Sequence, residues 1–242
     1  MSHSLQLKEG AFVIADAHYS HLRPQLLSFF QDIDSKKLQP TQLILMGDIF
    51  DALFGGVVYT YKQNSEILEL LEKISKNIEL VFLEGNHDFN LNDVLPSMKV
   101  FSLKMQPVIA EFYGKKVALA HGDFDAPFGY QLYSAIIRNA TILKILNFID
   151  ELIGNKIIKK VDEYLGKKDD CNKFIEFQEF IEKRNLEKYE VDYFIEGHFH
   201  QDRLLKLNDL TYINLAAFAC NQRYFIVKST KDKELYLEKN SH

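Results

Sequence analysis

The sequence predicts an α/β protein, with strands and helices alternating around a layered sheet and a block of helices inserted late. Three observations lead there. Short apolar runs bounded by turn residues recur through residues 1–125 and return after residue 190. Helical patterns fill the gaps between the early runs, the alternation that builds sheets covered by helices. Residues from about 130 to 186 are instead rich in helix formers and poor in turn signals.

Taken in order, residues 11–15, 43–46, 79–83 and 116–120 read as buried strands. Between the first two, residues 24–34 fit a helix with Pro24 near its first turn. Residues 64–76 offer Ile67, Leu68, Leu70, Leu71 and Ile74 as the apolar face of a second helix. The helical block breaks near Gly154-Asn155 and Gly166. It reads as an insertion over about 126–188 within one domain spanning 1–242. Residues 191–195, 210–215 and 224–227 then resume as strands joined by short turns.

Composition narrows the function classes. A 242-residue chain that is 47% hydrophobic can offset its ordering entropy, which excludes general disorder. Residues 1–125 hold 11 basic and 16 acidic side chains, and residues 126–242 hold 18 of each, so the whole net charge of −5 lies in the first part. Such a balance argues against a duplex-binding protein, and no nucleic-acid partner is expected. Cys171 and Cys220 are too few for a disulfide framework or a thiolate zinc site and are expected as thiols in a reducing compartment. The N-terminus shows no apolar leader, and no run of about 18 apolar residues exists, so a cytoplasmic protein is expected.

The chemistry gathers where strands stop. The first runs into Asp16-Ala17-His18, the second into Gly47-Asp48 and Asp51, the third into Gly85-Asn86-His87-Asp88. The fourth runs into His121-Gly122-Asp123 and the fifth into Gly197-His198-Phe199-His200. In α/β sheets ligands bind beyond the carboxyl ends of strands, so these residues should converge. Carboxylates, imidazoles and an amide oxygen suit Mn²⁺, Fe or Zn²⁺. Asp16 and His18, two apart on an extended segment, should face one way, as should His198 and His200. Asp16, His18, Asp48, Asn86, His121, His198 and His200 are too many for one ion with an open position, but serve two ions if Asp48 bridges.

These five blocks, D-x-H, G-D-x-x-D, G-N-H-D, H-G-D and G-H-x-H, resemble the calcineurin-like metallophosphoesterase family. The resemblance implies a four-layer αββα sandwich. It also implies one metal on Asp16, His18, Asp48 and His200, and a second on Asp48, Asn86, His121 and His198, with Mn²⁺ the foremost candidate. A cation pair of this kind binds phosphate oxygens and lowers the pKa of an attacking water. His87 is then placed to donate a proton to the leaving oxygen. Asp88 would orient the His87 ring, while Asp51 and Asp123 would order the ligand loops.

The insertion bears on the substrate. Residues 138–168 carry seven basic and four acidic side chains among many Ile, Leu, Val and Phe, more apolar surface than one helical stripe needs. This fits either a helical pair packed on the main domain or a cap that holds acyl chains or rests on a lipid interface. A helical cap between the fourth and fifth blocks, Tyr130-Gln131 soon after His-Gly-Asp, and Ile213-Asn214-Leu215 resemble the bacterial UDP-2,3-diacylglucosamine hydrolases of lipid A synthesis. The implied substrate is a nucleotide-linked glycolipid, split at its pyrophosphate on the cytoplasmic face of the inner membrane. One position departs, since the best-known members carry Arg where this chain has His87. A soluble phosphodiesterase or nucleotidase of the same superfamily is the enzymatic alternative, and a non-catalytic scaffold the alternative of another class.

Overall fold

The computed structural model describes residues 5–167 and 171–242. Met1–Ser4 and, from the basic tally of the insertion, Lys168 lie outside the described residues. In chain order the strands are β1 (Leu5–Gln6), β2 (Phe12–Ile14), β3 (Gln42–Leu45), β4 (Leu53–Phe54), β5 (Glu79–Leu83), β6 (Asp88–Phe89) and β7 (Lys99–Phe101). They continue as β8 (Val108–Phe112), β9 (Lys115–Ala120), β10 (Tyr193–Glu196), β11 (Arg203–Leu207), β12 (Leu210–Asn214), β13 (Arg223–Ser229) and β14 (Leu235–Ser241). The helices are α1 (Gln25–Asp34), α2 (Val58–Gln63), α3 (Ser65–Ser75), α4 (Phe128–Ile137), α5 (Ala140–Leu152), α6 (Lys156–Gly166), α7 (Phe177–Glu182) and α8 (Phe218–Asn221).

Two six-stranded sheets form, ordered β1-β8-β9-β10-β12-β11 and β14-β13-β2-β3-β5-β7. Val13, Ile44 and Val81 of one sheet meet Val117, Leu119, Ile195 and Ile213 of the other in a shared core. On the second sheet's outer face, Leu26, Phe29, Phe30 and Ile33 of α1 and Ile67, Leu71 and Ile74 of α3 cover Phe12, Ile14, Leu43 and Leu45. The i, i+3, i+4, i+7 spacing in α1 is what puts those four side chains on one stripe. Each such buried Phe or Leu contributes roughly 1.5–3 kcal/mol of transfer free energy. Across the molecule, Phe177 and Ile181 of α7 pack on Ala118, Phe194 and Tyr212 of the first sheet. Helix, sheet, sheet and helix therefore make four layers.

Helices α4, α5 and α6 stand beside these layers. Their seat is small: Leu143 and Ile158 pack on Val57 and Phe89, next to the two-stranded β4·β6 ribbon. The buried Asp150 carboxylate accepts the Ile157 and Ile158 N–H groups at 2.7 and 3.0 Å, capping the start of α6. Outward, Phe128, Phe148, Leu152 and Tyr164 remain largely exposed. No single helix among the described residues is long and apolar enough to cross a membrane, although α4 and α5 together reach that composition with a 61° bend between them.

The cysteines correct an expectation. Cys171 and Cys220, read as separate thiols of a reducing compartment, are joined in a disulfide with Cα atoms 5.8 Å apart. Spacing along the chain gave no sign of this. From Cys171 on, the chain lies against the loop after β10, held by Phe174 N–H to Gln201 Oε1 at 2.8 Å and Gln201 Nε2 to the Asn172 carbonyl at 3.0 Å. That contact lays Cys171 beside α8.

Candidate metal centre

Parallel pairing aims the strand ends at one place. β2, β3 and β5 run parallel in register, as do β9 and β10 in the facing sheet. Asp16 and His18 follow β2, Asp48 follows β3, Asn86 and His87 follow β5, His121 follows β9, and His198 and His200 follow β10. The seven expected ligands are brought together: six fall in two groups, Asn86 joins the second through His121, and a third group links His18 to Asp51 and His87. Ligand atoms of Asp16, His18 and His200 lie within 4.8 Å of one another, and so do those of Asp48, His121 and His198. The groups adjoin. His200 Nε2 is 3.1 Å from Asp16 Oδ1, His121 Nε2 is 3.4 Å from Asp48 Oδ2, and Asn86 Oδ1 is 3.3 Å from His121 Nε2.

The backbone achieves this differently from the extended segments expected. Asp16, His18, Asp48, His198 and His200 all adopt left-handed conformations, with φ between 47° and 61°. A left-handed residue at each of these positions costs roughly 1–3 kcal/mol and persists only where surroundings fix it. Hydrogen bonds from the main chain hold three of the five: Asp16 N–H to Gly47 O, His18 N–H to Asp48 O, and His198 N–H to the Asp16 carboxylate at 3.0–3.1 Å. Gly85 and Gly197 leave the space these side chains need. A Cβ on Gly85 would stand 2.2 Å from Asp48 Oδ1, and one on Gly197 2.5 Å from Asp16 Oδ2.

Asp88 has another task than the one expected. Its carboxylate does not reach the His87 ring; it accepts the N–H groups of Asp48, Ile49, Phe50 and Gly85 at 2.6–3.2 Å. It thereby ties the β3 loop to the β5 loop. His87 is oriented through Nδ1, 3.0 Å from the Asp51 carbonyl, which turns Nε2 inward to 3.9 Å from Asp48 Oδ2. The Asp51 side chain lies 3.4 Å from His18 Nδ1 and 3.7 Å from Arg23. Asp123 accepts the Tyr130 hydroxyl at 3.2 Å, linking the His121 loop to α4.

Charges are arranged as a cation site requires. Burial pushes the Asp16 carboxyl up, but His200 holds it below its ordinary range. The same opposition, with His121 and His87 prevailing over burial, holds Asp48 well below that range. Asp48 in turn, against burial, raises His121 well above the usual imidazole value, while burial and His121 push His198 down to about 4. Burial and the Asp48 charge drive Asp88 well up. Both ring nitrogens of His18 and both Asp51 oxygens are buried without a hydrogen-bond partner. Orphaned buried groups of this kind are costly unless an ion completes them. The donor set of imidazole, carboxylate and amide oxygen suits first-row divalent ions, so these residues fit a metal pair.

Two arginines escaped the sequence reading. Arg138, at the end of α4, donates from Nη2 to the Gly85 carbonyl at 2.8 Å, with Nη1 3.4 Å from Glu84. Arg184 pairs with Asp125 at 2.8–3.0 Å and with Glu196, which also accepts the Tyr212 hydroxyl. Glu196 immediately precedes Gly197-His198, so this buried network backs the last block. The acid closing an apolar strand was its one sequence signal, since a buried carboxylate demands a partner.

A family model described as calcineurin-like phosphoesterase matches residues 11–202. A UDP-2,3-diacylglucosamine hydrolase of Histophilus somni (strain 129Pt) is 28% identical over 200 residues, covering 80% of this chain and 85% of that protein. Another of that name, from Psychromonas ingrahamii (strain DSM 17664 / CCUG 51855 / 37), is 27% identical over 195 residues, covering 78% and 79%. Among solved structures, Vacuolar Protein Sorting 29 from Cryptosporidium Parvum aligns over 96% of this chain and 97% of its own, with a TM-score of 0.44 and 14% identity.

Proposed function

The chain belongs to the calcineurin-like phosphoesterase family and is a metal-dependent hydrolase; from that premise we propose that it splits the pyrophosphate of UDP-2,3-diacylglucosamine into UMP and 2,3-diacylglucosamine 1-phosphate. The observation that carries the substrate is a cavity of about 380 Å³ that opens on Asn86 and His87 and runs under the cap. Phe54, Val57, Leu143, Ile158, Val161 and Leu165 line it. An apolar cavity of this size beside a phosphoryl-transfer site suits an acyl chain. The hydrolases of Histophilus and Psychromonas carry the same substrate in their names.

Asp16, His18, Asp48 and His200 would hold one ion, and Asp48, Asn86, His121 and His198 the other. Divalent ions there supply Lewis acidity to the phosphoryl oxygens and bring the pKa of the attacking water toward neutrality. The protein's own part is positional. The left-handed turns aim the donors at one another, and Asp88 locks two of the loops together. Because the Asp51 carbonyl takes the Nδ1 side of His87, a proton on Nε2 is the one that faces the leaving oxygen. The cap helices and Phe89 line the cavity beside Asn86 and His87.

Manganese is the ion we propose, on the oxygen and nitrogen donor set. The exposed Phe128, Phe148 and Leu152 support a peripheral seat of the cap on a lipid surface, with Lys144 and Lys156 near its phosphates. The deciding experiment offers UDP-2,3-diacylglucosamine to the Mn²⁺-loaded protein and follows UMP. Release of UMP is the expected result. Hydrolysis of a nitrophenyl phosphodiester without any UMP would overturn the substrate and leave the phosphoesterase.

A further inference from the structure

Helix α4 separates two cavities. Tyr130, Ser134 and Arg138, four residues apart, form one stripe of the helix and line both. On one side lies the apolar cavity under the cap. On the other lies a cavity of about 470 Å³ whose walls include Glu84, Ser102, Lys104, Asp123, Gln131 and Asn139. Asp123 stands two residues after His121, and Glu84 two before Asn86, so this second space also borders the loops of the metal centre.

We propose that this polar cavity receives the nucleotide half of the substrate, leaving the acylated sugar to the apolar one; the inference rests on the substrate reading above. A nucleoside presents ribose hydroxyls and ring donors and acceptors, which require amide, hydroxyl and carboxylate partners rather than hydrocarbon. Those are the groups found here. Asp123 Oδ1 is buried and has no hydrogen-bond partner, which suits a hydroxyl or ring N–H donor. Lys104 makes no ion pair among the described residues and can meet an anionic ligand. Among the described residues, Arg138 is the sole lysine or arginine bordering the apolar cavity, and it stands in the shared wall, anchored on the Gly85 carbonyl. A diphosphate diester has one apolar arm and one polar arm on either side of phosphorus. With the reacting bond near Asn86 and His87 on the apolar side, the polar arm would pass the shared Tyr130, Ser134 and Arg138 to reach the second cavity.

The test measures binding, not turnover. Mn²⁺-loaded protein is titrated with UMP and, separately, with inorganic phosphate. UMP is expected to bind about tenfold or more tightly than phosphate, the excess reporting contacts beyond the phosphoryl group. Ala135→Trp fills the polar cavity from an exposed helix position. It should bring the ratio of the two affinities to about one, as should Lys104→Glu in large part. Val161→Trp, on the apolar side, should keep the wild-type ratio. A wild-type ratio near one, a ratio untouched by Ala135→Trp and Lys104→Glu alike, or its collapse in Val161→Trp would each overturn the assignment. The two readings separate cleanly. An intact ratio with no UMP released from the glycolipid sinks the substrate and keeps the cavity, whereas UMP release with a ratio of one does the reverse.

Discussion

Replacing Gly85 by alanine should disable the metal centre without unfolding the protein. The added Cβ would sit 2.2 Å from Asp48 Oδ1 and 2.5 Å from the Asp48 nitrogen. An ordinary contact begins at 3.4 Å, so the Asp48 carboxylate or its loop must yield by roughly 1.2 Å. Gly85 is not left-handed, so alanine suits its backbone and the collision is the whole effect. Asp48 is the one carboxylate assigned to both ions, and a misplacement of about 1 Å at a reacting centre costs on the order of 10²-fold in rate. Metal content by mass spectrometry, titration of Mn²⁺ into chelator-treated protein and hydrolysis of a nitrophenyl diester measure the outcome. The variant should keep its circular dichroism, bind fewer than two equivalents and lose about two decades of rate. Gly129→Ala in α4, whose Cβ would meet nothing within 4 Å, is the matched control. It should leave metal binding alone and stabilise the helix by roughly 0.5–1 kcal/mol. Two tightly bound equivalents and an unaltered rate in Gly85→Ala would refute the reasoning.

Other consequences can be checked in the same preparations. His87→Ala should retain both ions yet lose ~10²–10⁴ in rate, and loss of metal there would recast His87 as a ligand. In metal-free protein Asp48 favours the charged imidazole of His121, so loading should expel a proton; calorimetry in buffers of different ionisation enthalpy should detect its release. By the same sign, the charged His121–Asp48 pair stabilises the stripped protein fully below about pH 6.5, the unfolded value, and that contribution fades as pH rises through the elevated folded value. Thermal melts of chelated protein across that range should show it. Cys220→Ser opens a 49-residue loop and should cost up to about 4 kcal/mol on the chain-entropy account, read from denaturant midpoints; an unchanged midpoint would show that the bridge adds nothing.

The sequence reading succeeded where one signal carried both fold and site. Apolar runs such as 79–83 are buried on both faces, and the polar residues that interrupt them mark strand ends and ligands together. β8 was less visible because it alternates, with Ile109 and Glu111 exposed between buried neighbours, so no continuous run announces it. β14 is an edge strand with one largely polar face. What pairs across long separations was also hidden. The task of Asp88 depends on four backbone N–H groups presented by two different loops. Arg138 and Arg184 work only because helices far along the chain return to the site. Cys171 and Cys220 meet through a long-range contact that leaves no periodic trace.

The five left-handed residues at the metal centre carry one more implication. Main-chain N–H groups hold three of them, Asp16 on the Gly47 carbonyl, His18 on the Asp48 carbonyl and His198 on the Asp16 carboxylate. Part of the energetic cost of assembling the donors is thus met by the chain's own hydrogen bonds, which act as a template for the ligands. Such a template gives one ligand arrangement to every divalent ion that enters. Exchange of one ion for another should then alter reactivity through the ion's own Lewis acidity, with the protein frame unmoved.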